Sequence, residues 1–380
     1  MDRNLIIFID SLPFFVLEKN KNFFINSLSY KSKTTPGIGF SVNLYSEIFC
    51  GLQPDEVGFF NEWTLDEKIT SKSNKLFFKM VDYFNYILLF SVVSHKAYSK
   101  IFKKEIANIP FCYTELFKKN TYDVFSYTNS HSFLSQHNFC NIVSSDYNEG
   151  VGNRDIIAYK KAKNEIKNKK NLFISFVDLD NIAHIYGLNS NQYINHLNNL
   201  DSWYQSLIEE FKSINKNKCN IFIISDHGMA KVSRGVKLNL EKYFGEIGHE
   251  RYIYFIDSVF LRVWIKDSRL KSEISEYLTK LGIGVILDEN YRKKYHITNK
   301  TFGDLIFQLN EGINFCPNYH GWRLPKAMHG YAPELESQKG VFIYESNDNK
   351  PSLLPSNTIE MHNFITNKIK KDNHIEGNYD

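Results

Sequence analysis

Cysteine is scarce in this 380-residue sequence: five residues, at positions 50, 112, 140, 219 and 316, with no Cys-x-x-Cys pair among them. Without a framework spacing they read as reduced thiols, and a disulfide scaffold is excluded. Long apolar runs are missing too. The longest mainly apolar stretch, residues 86–93, is too short to cross a bilayer. No basic region, apolar stretch and small-residue cleavage site precede the first strand, so the expectation is a soluble cytoplasmic protein without a membrane span. Excess charge of one sign is absent as well. The net charge is +4 and the lysines are scattered, which gives no reason to expect nucleic acid as the partner. There is no internal repeat, no Gly-x-x-x-x-Gly-Lys-[Ser/Thr] loop and no Gly-x-Gly-x-x-Gly after a strand. Neither P-loop nor dinucleotide chemistry is indicated.

What is present centres on Cys219-Asn-Ile-Phe-Ile-Ile-Ser-Asp-His-Gly-Met229. The run Ile221 to Ile224 predicts a strand buried on both faces of a parallel sheet. It ends in Asp226 and His227, a carboxylate and an imidazole where open α/β sheets bind their ligands. Gly228 then allows a sharp turn. Asp and His together suit a borderline cation such as zinc, although a solvated turn explains the tripeptide about as well.

Other segments repeat the pattern of a buried strand followed by a carboxylate. Residues 4–9 form one such strand and end at Asp10, which alone reads as a turn cap. Residues 16–27 then read as a helix. Residues 172–177 form another strand, leading into Asp180 and His184, four apart, so that one helical turn lets them share a cation. Residues 191–214 read as an amphipathic helix. Ser41 precedes a helix with apolar residues at 42, 45, 48 and 49, closed by Gly51-Leu-Gln-Pro-Asp-Glu-Val-Gly58. Ser41 is either a plain helix N-cap or a nucleophile whose ester lies on the helix's positive end. No Gly-x-Ser-x-Gly elbow surrounds it, which weighs against a hydrolase triad. Late in the chain His329 precedes a core strand at residues 340–344, and His320 competes with it as an imidazole ligand.

The 380 residues suggest about two domains. Residues 1–61, 148–240 and 316–380 read as the core. Residues 62–147 form an aromatic-rich insertion, a lid candidate with helices at 75–94 and 98–108. Residues 241–315 form a small α+β insertion.

In order, these motifs are a strand-end Asp10, Ser41 before Gly51-Leu-x-Pro-x-x-x-Gly58, Asp180-x-x-x-His184, Asp226-His-Gly and a late His329-Gly. That order resembles the alkaline phosphatase superfamily, and within it the type I phosphodiesterase/nucleotide pyrophosphatase family. The resemblance covers residues 4–61, 171–229 and 326–345. It implies a three-layer α/β sandwich with a mostly parallel central sheet and two inserted segments. It also implies two metal ions, one held by Asp10, Ser41, Asp226 and His227 and one by Asp180, His184 and His329. Asn61 matches the family's donor to a phosphoryl oxygen. The chain departs from the family where Ser41-Val-Asn43 replaces a Thr-Phe-Pro-Asn context, and where Val57 stands for a His before Gly58.

The implied activity is hydrolysis of a phosphodiester or pyrophosphate bond in a small phosphorylated substrate such as a nucleotide or nucleotide sugar. Two cations about 4 Å apart can stabilise nucleophile and leaving oxygen together. The implied route is in-line attack by Ser41, then attack of metal-bound water on the phosphoserine. Zinc suits the nitrogen and oxygen donors, and manganese is the alternative. Rival readings are a phosphomonoesterase, a phosphonate hydrolase, a phosphomutase, and a non-catalytic phospho-ligand-binding protein. A sulfatase is least favoured, because no Cys/Ser-x-Pro-x-Arg context surrounds Ser41.

Overall fold

The computed structural model describes residues 3–66, 116–120, 123–126, 128–143, 150–214, 219–248, 250–346 and 351–371. The helices expected at 75–94 and 98–108 lie outside them. Two compact units emerge: Met1–Val57, Tyr122–Val232 and Pro325–Asp380 form the first, Gly58–Thr121 and Ser233–Leu324 the second.

The first unit is built on six strands: β1 (Arg3–Ile9), β2 (Tyr30–Thr34), β3 (Cys140–Val143), β4 (Asn171–Phe176), β5 (Cys219–Ser225) and β6 (Gly340–Ser346). Their order is β2-β6-β5-β1-β4-β3. β5, β1, β4 and β3 run parallel, and β6 is antiparallel to both β5 and β2. Successive side chains in a strand face opposite ways, and each face has its own core. Leu5, Ile7, Ile9, Ile174 and Ile223 face α1 (Phe14–Lys19), α3 (Arg154–Glu165), α4 (Asp178–Tyr186) and α5 (Asn191–Ile214). Ile6, Phe8, Phe173, Phe222 and Ile224 face α2 (Ser41–Cys50) and α6 (Thr358–Lys371). This is the three-layer arrangement. It explains why β1 and β5 are apolar without alternation: both faces are covered.

Register is pinned at the amino end of the strands. Asn220 Nδ2 donates to Asn4 Oδ1 at 2.9 Å, Asn4 Nδ2 to Asn171 Oδ1 at 2.9 Å, and Tyr344 O–H to Asn220 Oδ1 at 2.8 Å. A one-residue slip would break this chain of amides and turn every apolar side chain to the wrong face.

The single helix expected over residues 16–27 is two pieces, α1 and a 3-10 turn at Phe24–Ser27. Asn20 separates them. Its Nδ2 donates to the Val16 carbonyl at 2.8 Å, so the side chain competes with the helical ladder.

The second unit carries a four-stranded antiparallel sheet of Tyr252–Ile256, Phe260–Ile265, Leu305–Leu309 and Gly284–Ile286, in that spatial order. The helix Ser268–Lys280 packs on it through Leu270, Ile274 and Leu278. Trp63–Leu65 pairs with Phe117–Lys119, and Phe117 lies edge-on to Phe255 at 4.9 Å. The two inserted segments thus share one core here, while residues 123–143 belong to the first unit through β3. No helix among the described residues is long and apolar enough to cross a membrane.

Candidate metal centre

Strand register creates the site in the first unit. Ile9 stands opposite Ser225 on one side and Phe176 on the other, so Asp10 and Asp226 leave the sheet together at its carboxyl edge. Ser11 follows with φ 64°, a left-handed conformation that costs a non-glycine residue roughly 1 kcal/mol or more. It is held there by Ser11 N–H donating to Asp226 Oδ1 at 3.2 Å and Leu12 N–H donating to Ser225 Oγ at 2.8 Å. Gly228 is required by close approach. A Cβ there would lie 2.1 Å from the Ser337 carbonyl oxygen.

Ser41 is the first residue of α2, and Phe40 takes the extended N-cap position. The cap interpretation of Ser41 is therefore corrected: Asn43 Oδ1 accepts from Phe40 N–H at 3.1 Å and closes that end. Ser41 Oγ lies 3.1 Å from His227 Nε2 instead. One turn on, Tyr45 O–H donates to Asp10 Oδ2 at 3.0 Å.

His227 Nδ1 is 2.8 Å from the Gly228 carbonyl oxygen. A carbonyl only accepts, so Nδ1 carries the proton. Nε2 is then turned toward Asp226 Oδ2 at 3.3 Å and Asp10 Oδ1 at 3.6 Å. His184 repeats the device: Nδ1 donates to the Ala327 carbonyl at 2.8 Å, and Nε2 faces Asp180 Oδ2 at 3.2 Å. Asp180 and His184 do share one helical face, on α4. The short ladder of Ala230–Lys231 with Ala327–Met328 delivers His329, whose ring stacks on His227 with centroids 3.8 Å apart. His329 Nε2 is 3.7 Å from Asp180 Oδ1.

Two donor groups result, with atoms within 4.8 Å of one another: Asp10, Asp226 and His227, and Asp180, His227 and His329. His227 belongs to both, and His184 meets the second through Asp180.

The electrostatics ask for positive charge. Burial raises Asp10 well above the usual carboxylate range, and the nearby charges of Asp226 and Asp180 add to it. Burial pushes Asp226 up to about 7. Burial would raise Asp180 too, but His184 and His329 outweigh it and hold the group below the usual range. Burial would lower His184, yet Asp180 raises it to about 9, and the proton it retains stands in for a cation. Burial and then His227 lower His329 well below its ordinary value. Asp10 Oδ1, Asp180 Oδ1, Asp226 Oδ2 and His329 Nδ1 are buried without a hydrogen-bond partner among the described residues. Buried acceptors left this way are costly unless a cation meets them, so the donor set fits divalent ions.

Asn61 and His320 belong to the second unit. Asn61 Nδ2 donates to Asp257 Oδ2 at 2.6 Å, and His320 Nε2 lies 2.8 Å from Asp257 Oδ1. Arg262, fully buried over the Phe60 and Phe255 rings, balances Asp257 at 3.3 Å. His320 is thus engaged by a carboxylate within its own unit. Sequence reasoning passed over Tyr45, although its position one helical turn after Ser41 was a usable signal. It also passed over Ser11 and the Asp257 network, which no local pattern marks.

A carboxylate–imidazole centre at the carboxyl edge of a mostly parallel sheet defines the class: an α/β protein with a candidate cation site. The family model for type I phosphodiesterase/nucleotide pyrophosphatase matches residues 48–332. Over 76 residues the chain is 34% identical to human ectonucleotide pyrophosphatase/phosphodiesterase family member 1, covering 20% of this chain and only 8% of that protein. Murine ectonucleotide pyrophosphatase/phosphodiesterase 5 shares the fold with TM-score 0.64 at 13% identity, over 97% of this chain and 95% of that one. The human counterpart gives 0.65 at 15% over the same shares. The chain belongs to the type I phosphodiesterase/nucleotide pyrophosphatase family.

Proposed function

We propose that the chain hydrolyses a phosphodiester or pyrophosphate bond of a nucleotide-type substrate, with Ser41 as nucleophile. The observation that carries this is the 3.1 Å approach of Ser41 Oγ to His227 Nε2, because His227 belongs to both donor groups, Asp10/Asp226/His227 and Asp180/His227/His329. Asp10, Ser41, Asp226 and His227 would hold one ion, and Asp180, His184 and His329 the other. His227 belongs to both donor groups. Bound ions would neutralise the phosphoryl oxygens and favour the serine alkoxide. The nitrogen and oxygen donors suit zinc, with manganese as the alternative.

The chain's own groups do the rest. Without an ion His227 Nε2 accepts from Ser41 O–H, which places the hydroxyl beside the donor group. The N-terminus of α2 places a partial positive charge beside the ester that forms. Ser41 Oγ bonds to phosphorus as the leaving oxygen departs. Water then bonds to phosphorus and the serine–phosphorus bond breaks. Tyr45 keeps Asp10 oriented. Asn61 has its motif position alone in favour of a role, and its Nδ2 is engaged by Asp257 within the second unit. The nucleotide class draws on the family and on the murine protein 5, whose inactive threonine-to-alanine variant was solved in complex with AMP.

The test is a panel of bis-p-nitrophenyl phosphate, p-nitrophenyl phosphate, a nucleotide sugar and a phosphonate, each with zinc and with manganese. Faster turnover of the diester or nucleotide sugar is expected. Preference for the monoester or the phosphonate would reassign the substrate class. No turnover of any would favour a phospho-ligand-binding protein.

A further inference from the structure

Outside the centre, the first unit buries four charged or titratable side chains in one network: Arg154, Asp155, Asp178 and His196. Two helices begin here without a side-chain cap of their own. α3 starts after Asn153 and α4 after Val177, and neither residue makes a capping bond. The four first amides of a helix need partners, and these helices supply them to each other. Asp155 Oδ1 accepts from Val177 N–H at 2.7 Å and from Asp178 N–H at 3.2 Å. Asp178 Oδ2 accepts in return from Asp155 N–H at 3.1 Å. Each carboxylate also sits where the other helix's dipole is positive. Arg154 Nε closes one end on Asp178 Oδ1 at 2.7 Å, and His196 of α5 closes the other on Asp155 Oδ2 at 2.8 Å.

The helix held in this way carries Asp180 and His184. α4 has only nine residues, too few to be stable alone. Its other end is tied where Lys326 N–H donates to the His184 carbonyl at 2.8 Å and His184 Nδ1 meets Ala327. Asp180 is the third residue of α4, so a shift in the capped end moves its carboxylate directly. Ion sites tolerate about 0.5 Å of ligand displacement. None of the four network residues belongs to the donor groups.

We infer that Asp155, with His196, Asp178 and Arg154, is a positioning network for the Asp180/His184/His329 ion site and not for the Asp10/Asp226 site. The inference rests on the two-ion function proposed above.

The test uses full-length protein stripped with chelator and titrated with zinc against a fluorescent competitor. Asp226→Ala leaves the Asp180 site to be read alone, and Asp180→Ala leaves the Asp10 site. In each background His196→Phe removes the donor to Asp155 at similar volume, and His196→Gln keeps a donor. His196→Phe should weaken zinc at the Asp180 site by about tenfold or more and leave the other within about twofold, with Gln restoring most of the loss. No loss at the Asp180 site, or equal loss at both sites in step with the metal-free melting temperature, overturns the inference. If His196→Phe does not fold, Arg154→Met perturbs the network from its opposite end and gives the same site-selective reading. Unmutated protein that takes up neither zinc nor manganese sinks the proposed function and this inference together. Two ions in unmutated protein with an indifferent His196→Phe sink this inference alone.

Discussion

Replacing Ser41 with alanine removes one oxygen at the centre and nothing else that the fold uses. Phe40 holds the N-cap position and Asn43 closes that end of α2, so no cap is lost. What goes is the 3.1 Å contact with His227, worth about 1 kcal/mol at most to stability. Turnover should respond very differently. His227 Nε2 also faces carboxylate oxygens of Asp10 and Asp226, which the proposed mechanism uses as ligands. Loss of the nucleophile should lower kcat by on the order of a thousandfold or more, about 4 kcal/mol of barrier. The assay is steady-state hydrolysis of bis-p-nitrophenyl phosphate with saturating cation, beside thermal melts. Ser41→Thr should keep appreciable activity, because a hydroxyl remains. A chiral phosphorothioate diester should be hydrolysed with net retention, since two in-line displacements cancel. Net inversion, or near-normal turnover by Ser41→Ala, would refute the nucleophile and move the reaction to direct attack by water.

Further outcomes follow from other contacts. His329→Ala should lose about one ion per chain by metal analysis, whereas His320→Ala, engaged with Asp257 in the second unit, should keep both. Tyr45→Phe should weaken the ion at Asp10 by about tenfold in a zinc titration, because the donor to Asp10 Oδ2 is gone while the ring still packs on Phe8 and Phe49. Glu47, buried on α2 beside Thr358, is raised by burial from 4.5 to about 7. Its folded form therefore binds a proton that the unfolded chain has released, and stability falls as pH rises from about 4.5 to 7 and stays reduced above. Glu47→Gln should melt like the unmutated protein near pH 5 and be more stable at pH 8, by on the order of 3 kcal/mol; equal stability at both pH values would contradict that burial.

The sequence carries much of the first unit because its central strands are covered on both faces. Ile221 to Ile224 and Leu5 to Ile9 are apolar without a break, and each ends in a carboxylate. Asp180 and His184 are readable as an i, i+4 pair. The break at Asn20 is hidden, since its amide bonds the Val16 carbonyl inside a stretch with helical spacing. The cross-capping of α3 and α4 is equally hidden. Asp155 and Asp178 are 23 residues apart and look like ordinary first-turn acids until the fold joins them. The shared core of the second unit depends on Trp63 and Phe117 meeting Phe255, contacts across 192 and 138 residues that no local periodicity encodes. Ser41 is readable as a helix start, but its approach to His227, with Phe40 in the cap position, appears only in the fold.

The central claim is that the buried carboxylates and imidazoles hold cations that the reaction needs. Metal analysis of the purified chain, paired with turnover of bis-p-nitrophenyl phosphate before and after chelation, tests it most directly. Close to two divalent ions per chain are expected, with activity lost as they are removed and regained when they are returned. Undiminished turnover in protein stripped of both ions would contradict the account.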